Sequence, residues 1–371
     1  MAFLSSALAF VVVLTALVFV HEMGHYLVAR WRGVRVEVFS IGFGREIVGW
    51  TDRTGTRWKI SWIPLGGYVK FVGDMNAASA GSAKALPPEL AKDAFANKPL
   101  GSRAAVVVAG PVANFLFAIV VFATLYSTLG QPFTPPVISE LEPGSVAEAA
   151  GFRAGDRFVR VDGVSIDRFE DLMQIVFASP GRMLDFTILR DGAQMTMRAA
   201  PGTRELAAKS GNKPQQVGYL GVRSSGYEQV RHNPAVSVWY ATKQTWLVSR
   251  ETLVSLGRMA TGAGSSEDLR GPIGIAQLSG QVAHFGVAPL LEFMALLSIS
   301  LGLLNLFPIP LLDGGHLLYY AFEFARGRPL GERAQEFGFR IGLALVLMLM
   351  LYATWNDFVQ LDVVGRMREL F

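Results

Sequence analysis

The sequence contains no cysteine. That excludes disulfides and thiolate metal ligands, so any metal must be held by histidine and carboxylate. Histidine is itself scarce, with five in 371 residues, which keeps the roster of candidates short. Charge is sparse too. A net +4, dispersed along the chain, is too small to suggest a nucleic-acid partner. Met1–Phe10 holds no lysine or arginine, so the basic start of a cleaved signal peptide is missing and a retained first span is expected. No internal repeat is found.

Apolar residues make up 51% of the chain, and they are concentrated in runs. Residues 2–20 carry no charge and are long enough to enter a bilayer, which takes about 20 residues. The run ends in His21-Glu22-Met23-Gly24-His25. On a helix, His21 and His25 lie four apart on one face, where two imidazoles can grip one zinc ion, with Glu22 beside them as general base. A soluble metalloprotease would hold this motif in a water-filled cleft, whereas here it continues a membrane helix.

The runs predict four spans, at about 3–29, 104–129, 286–307 and 337–359. Between the first two, residues 34–72 alternate and are broken by Gly42-Phe43-Gly44 and Pro64-Leu65-Gly66-Gly67-Tyr68. This predicts a small membrane-associated β region whose edge, near Pro64–Lys70, could pair with an extended substrate. Residues 73–99 read as a loop without regular structure. After the stiff Gln131–Pro136 segment the composition becomes that of a soluble α/β domain. The fold class expected is therefore a multi-pass α-helical membrane protein with four transmembrane helices, a small β region and an inserted α/β domain. Its parts are a first half of the membrane core at 1–130, the inserted domain at 131–223, an amphipathic interfacial helix and linker at 224–283, and the second half of the core at 284–371. Within the domain, residues 201–217 read as linker. The charged, Trp-bearing pattern of Val236–Met259 suits the membrane interface better than a span.

The loops after spans one and three carry the Lys and Arg excess, which puts them in the cytoplasm and the N-terminus, inserted domain and C-terminus outside. Spans one and three then run in the same direction. Asp313, after about 20 residues of span three, reaches the same level as His21 and His25. Pro308 and Pro310 must break that span, so Asp313 is expected on unwound backbone, tolerated at depth only beside protein or a cavity. Two histidines and one carboxylate, with a position left for water, form a catalytic zinc set. His316 is expected either to support the metal ligands or, the preferred reading, to face the cytoplasmic loop, and His232 and His284 to be ordinary polar residues.

These residues resemble the site-2 protease family of intramembrane zinc metalloproteases, and within it the bacterial regulator-of-sigma-E protease type. The match rests on His21-Glu22-Met23-Gly24-His25, on Asn305-Leu306-Phe307-Pro308-Ile309-Pro310-Leu311-Leu312-Asp313-Gly314, and on Gly110-Pro111-Val112-Ala113-Asn114. The resemblance implies Zn2+ as cofactor, His21, His25 and Asp313 as its ligands, and Glu22 as catalytic base. It also implies that Asn305 and Asn114 hold the substrate backbone, with Gly66, Gly67 and Tyr68 in the β region that receives it. The implied substrate is a single-pass transmembrane protein already trimmed on its outer side, such as an anti-sigma factor, cut in the bacterial inner membrane. Leu141–Gly163 resembles the central signature of PDZ domains, which bind extended peptides or C-termini by strand addition. Gly218–Val222 could be its carboxylate cradle or a plain closing strand. Some members carry two tandem PDZ domains, and this chain has room for one. Two other readings compete. A catalytically silent, PDZ-bearing membrane adaptor predicts a damaged metal triad, and a metal transporter needs polar residues threaded through several spans.

Overall fold

The computed structural model describes residues 2–73, 87–206, 215–224, 226, 228–262 and 270–360. The chain forms two compact units, Met1–Thr124 with Val236–Phe371, and Leu125–Ala235.

The first unit opens with α1 (Ala2–Trp31), helical because nothing in its apolar run competes with the backbone. It stops at Gly33, whose positive φ of 69° lets Val34 N–H return to the Ala29 carbonyl. Strands β1 (Val36–Thr51) and β2 (Arg57–Phe71) follow, both bent. Residues 38–41 pair on one side with Gly67–Lys70 and on the other with Arg57–Ile60, while 46–51 pairs with 57–61. Two strands thus do the work of four, and Gly67–Lys70 is an edge: among the described residues, no strand pairs with its outer side. Asp52 ties the turn together. Its carboxylate accepts from the Thr54 and Thr56 N–H groups (2.8 and 3.0 Å), the Thr54 hydroxyl (2.7 Å) and the Trp58 indole (2.9 Å). Burial alone would raise this carboxyl, but these hydrogen bonds outweigh it and hold the group well below the usual carboxylate range. Phe39, stacked on Trp58, packs the sheet onto α1 with Val34, Val36 and Val69.

Part of the expected 73–99 loop is ordered. Residues 74–86 lie outside the described residues, but α2 (Pro88–Ala91) and a 3-10 turn at Phe95–Asn97 follow, with Phe95 buried against Phe71. A long apolar helix, α3 (Leu100–Thr128), carries Pro111 within it.

The second unit is built on a four-stranded antiparallel sheet. It comprises β3 (Gln131–Phe133), β4 (Ile138–Leu141), α4 (Val146–Ala149), β5 (Arg157–Val161), β6 (Val164–Ser165), α5 (Phe169–Phe177), β7 (Leu184–Arg190) and β8 (Ala193–Ala199). The sheet order is β6-β5-β7-β8, and β7 turns into β8 through Asp191-Gly192, both at positive φ as a two-residue hairpin requires. Phe152, Phe158, Leu172, Phe186 and Ile188 form its core, each burial worth roughly 1.5–3 kcal/mol. The expected 201–217 linker is largely a hairpin instead. Strand β9 (Gly202–Leu206) pairs with β10 (Gln215–Tyr219), with 207–214 outside the described residues. After it, β11 (Val222–Ser224) joins β4, and β12 (Glu228–Val230) joins β3.

The amphipathic segment is α6 (Pro234–Ala260). The expected linker beyond it contains a further helix, α7 (Pro272–His284), so close to α1 that a Cβ on Gly280 would overlap Ser6. Then come α8 (Val287–Leu306), the break at residues 307–312, α9 (Asp313–Arg326) and α10 (Glu332–Gln360). Among the described residues, four helices are long and apolar enough to cross a membrane: Leu4–Trp31, Leu100–Thr128, Val287–Leu306 and Arg333–Gln360. The break needs its own support. Leu311 sits at φ 111°, and a Cβ on Gly342 of α10 would overlap the Pro310 carbonyl, so a glycine lets α10 press against the broken backbone.

Candidate metal centre

Three elements meet at the end of the apolar part of α1. His21 and His25, one turn apart, stack edge-to-face with ring centroids 4.8 Å apart. Their Nε2 atoms approach to 3.2 Å. Asp313 comes to the same point from α9, with Oδ2 3.1 Å from His21 Nε2 and Oδ1 3.5 Å from His25 Nε2.

Asp313 corrects one expectation. The unwound stretch ends before it, at Leu312, and Asp313 is the first residue of α9. The prolines break α8, and the helix restarts at Asp313, where a carboxylate is favoured at a helix N-terminus, while Gly314 and Gly315 leave room for the Phe307 and Ile309 carbonyls. That helix also moves His316. Expected on the cytoplasmic loop, it lies one turn beyond Asp313 on the wall of the site cavity.

The cavity has a volume of about 210 Å³ and is lined by His21, Glu22, His25, Asn305, Asp313 and His316, together with Gly67, Tyr68 and Val69 of the edge strand. Glu22 of α1 and Val69 of the edge strand thus line the same cavity. Asn305 stands with its amide 3.5 Å from His21 Nε2. Two of the residues implied to hold substrate lie elsewhere. Gly66, at φ 105°, backs onto the Phe43 ring and is not on the cavity wall. Asn114 is fully buried behind His21, its amide nitrogen 3.1 Å from Nδ1.

The far side of the site is α3. His25 Nδ1–H donates to the Val106 carbonyl at 2.8 Å, which fixes its tautomer and turns the Nε2 lone pair inward. Four residues on, a Cβ on Gly110 would overlap His25 Nε2. On α1, Gly24 lies so close to Ala109 that a Cβ there would overlap its carbonyl. Small residues on both helices thus let the backbones approach closely enough for the rings to fit between them.

The residues fit a divalent ion. Two imidazole nitrogens and a carboxylate oxygen lie within 4.8 Å of one another. Asp313 Oδ2 is buried without a hydrogen-bond partner even though His21 Nε2 is near it, an arrangement suited to lone pairs converging on one centre rather than to a donor–acceptor pair. Three such donors with a position left open is the catalytic zinc pattern.

Comparison with known proteins points the same way. Residues 9–349 match the description of peptidase family M50. Two relatives carrying the name "Putative zinc metalloprotease", from Agrobacterium fabrum and Rhizobium meliloti, are 44% and 46% identical, covering 94% of this chain and 94% and 95% of theirs. The regulator of sigma-E protease of Salmonella typhimurium is 34% identical over 95% of this chain and 98% of its own. That alignment runs to 448 positions, longer than this chain, so the relative holds residues that this one lacks.

Proposed function

The chain belongs to peptidase family M50, a family of zinc metalloproteases, and from that membership we propose that it cuts single-pass membrane proteins within the bilayer. The observation that carries this reading is the convergence of His21, His25 and Asp313 beside Glu22, at the end of a helix apolar enough to span. A bound zinc ion would supply Lewis-acid activation of water, lowering its pKa towards about 7. His21, His25 and Asp313 would hold that ion. Glu22 accepts the proton of the attacking water on its carboxylate and returns it to the nitrogen of the leaving amine. A spanning helix hides its carbonyls in its own hydrogen bonds, so the substrate must unwind before attack. The edge at Gly67–Lys70 supports a role in holding the unwound segment as an added strand, with Asn305 and Tyr68 on the same cavity wall.

Regulated proteolysis of a pre-trimmed membrane protein, such as an anti-sigma factor, fits the likeness to the Salmonella relative. The Leu141–Gly163 signature supports a PDZ-like reading of the second unit, and the order β4, α4, β5, β6, α5, β7 suits it. Such a domain would take a trimmed C-terminus or exclude uncut ectodomains. Its expected place is outside the bacterial inner membrane, with the catalytic site towards the cytoplasm.

The test is Glu22→Gln in the full-length protein. Stoichiometric zinc with at least a hundredfold loss of cleavage of a membrane-embedded reporter is expected, since general acid–base catalysis contributes about 10²–10⁴-fold. Unchanged cleavage would sink the mechanism.

A further inference from the structure

Asn114 stands 0% exposed in the middle of an apolar helix, where an amide is costly unless it is used. Its surroundings look built. The Ser298 hydroxyl of α8 donates to its backbone carbonyl at 2.9 Å, and Gly302 of the same helix admits its Cβ, which a Cβ on that glycine would meet at 3.3 Å. With nitrogen turned to His21, the arrangement leaves two difficulties. The Asn114 amide oxygen is buried with no donor in reach. His21, accepting at Nδ1, would in its neutral form carry its proton on Nε2, the atom that faces His25 and Asp313. The two ends of an amide are nearly isosteric, and their assignment follows from the bonds they can make. Exchanging them lets the oxygen accept from His21 Nδ1–H and turns the Nε2 lone pair towards the other two donors.

We infer that Asn114 is a positioning residue for the metal centre, an acceptor that fixes the tautomer and ring orientation of His21, rather than a contact to substrate. The inference rests on the zinc reading of the site. It makes the second span a template for both imidazoles. The Val106 carbonyl takes Nδ1–H of His25, and Asn114, eight residues along the same helix face, takes Nδ1–H of His21. Such partners of ligating histidines are worth 10- to 100-fold in metal affinity.

The experiment is zinc affinity of the full-length protein in detergent, measured by competition with a chromophoric chelator, for the parent and three variants. The parent must bind one zinc, and if it does not, the zinc reading itself falls. Asn114→Leu removes the acceptor and is expected to weaken binding 10- to 100-fold. Asn114→Asp, an acceptor that cannot donate when ionised, is expected to stay within about threefold of the parent or to bind more tightly. If Asn114→Leu does not yield monodisperse protein, Asn114→Ala is read in its place. Parent-like affinity in the variant lacking the amide overturns the inference. So does Asn114→Asp binding as weakly as that variant, because a donor or a purely structural role is not rescued by a carboxylate.

Discussion

Gly110 lies where the two imidazoles of α1 meet α3, and a Cβ there would overlap His25 Nε2 and come within 2.8 Å of His21 Cε1. Gly110→Ala therefore separates two effects that normally run together. In a helix the change favours the backbone by roughly 0.5–1 kcal/mol. At this position it fills space that the rings occupy. Helix content by circular dichroism should hold or rise while zinc affinity falls at least tenfold, and full affinity with intact helix content would mean that the rings lie elsewhere. The residue scale is also where sequence reading was uneven. His21, Glu22 and His25 were legible because their chemistry depends on spacing within one helix. Asp313 was legible because the length of two apolar runs set its depth. Val106 was not, and Gly110 stood in a motif without a role, because a backbone carbonyl and an absent side chain carry no chemical signal until the crossing of α1 and α3 is known. Of the two places open to His316, the structure takes the one beside the metal ligands, because α9 starts at Asp313 and carries it one turn on to the cavity wall.

Elements defined by long apolar runs were read well, since one property, the absence of charge over about 20 residues, settles them. Short ones were missed for the opposite reason. Helix α7 begins with Pro272, has glycines at 274 and 280, and has no side chain capping its start. Its cap comes from another helix altogether. Asp357 of α10, 2% exposed, accepts from the N–H groups of Gly271 and Gly274, both at 2.9 Å. No local pattern could announce a partner more than eighty residues away. The carboxylate satisfies two orphan donors and complements the positive end of the helix. Asp357→Leu leaves both donors unpaired in an apolar setting, at about 1–3 kcal/mol for each buried group. The expected result is a Tm lowered by several degrees in detergent, with faster amide exchange confined first to residues 271–284. Asp357→Asn, which keeps an acceptor oxygen, should recover part of the loss. Equal loss in both variants would show that the charge, not the hydrogen bonds, is what α7 requires.

At the scale of the whole molecule, the metal donors and their hydrogen-bond partners all belong to the first unit, while the second has a core and an ion pair of its own. Asp156, 1% exposed, receives two 2.6 Å bonds from Arg190 of β7 and one of 2.8 Å from the Arg153 N–H. Burial would raise the Asp156 carboxyl, but the Arg190 and Arg153 bonds prevail and its pKa is lowered. A depressed carboxyl contributes stability that is fully present above its unfolded value, about 3.9, and is lost as pH falls through the lower folded value. Asp156→Asn should therefore speed amide exchange in β7 and β8 at pH 7, and the gap from the parent should close as the pH drops below about 4. At pH 7 the same variant should keep its full zinc content, because His21, His25, Asp313 and their partners Val106 and Asn114 all belong to the first unit. Loss of zinc alongside faster exchange would show that the second unit supports the metal centre directly. Retained zinc with altered cleavage would confine its influence to which substrates reach Glu22.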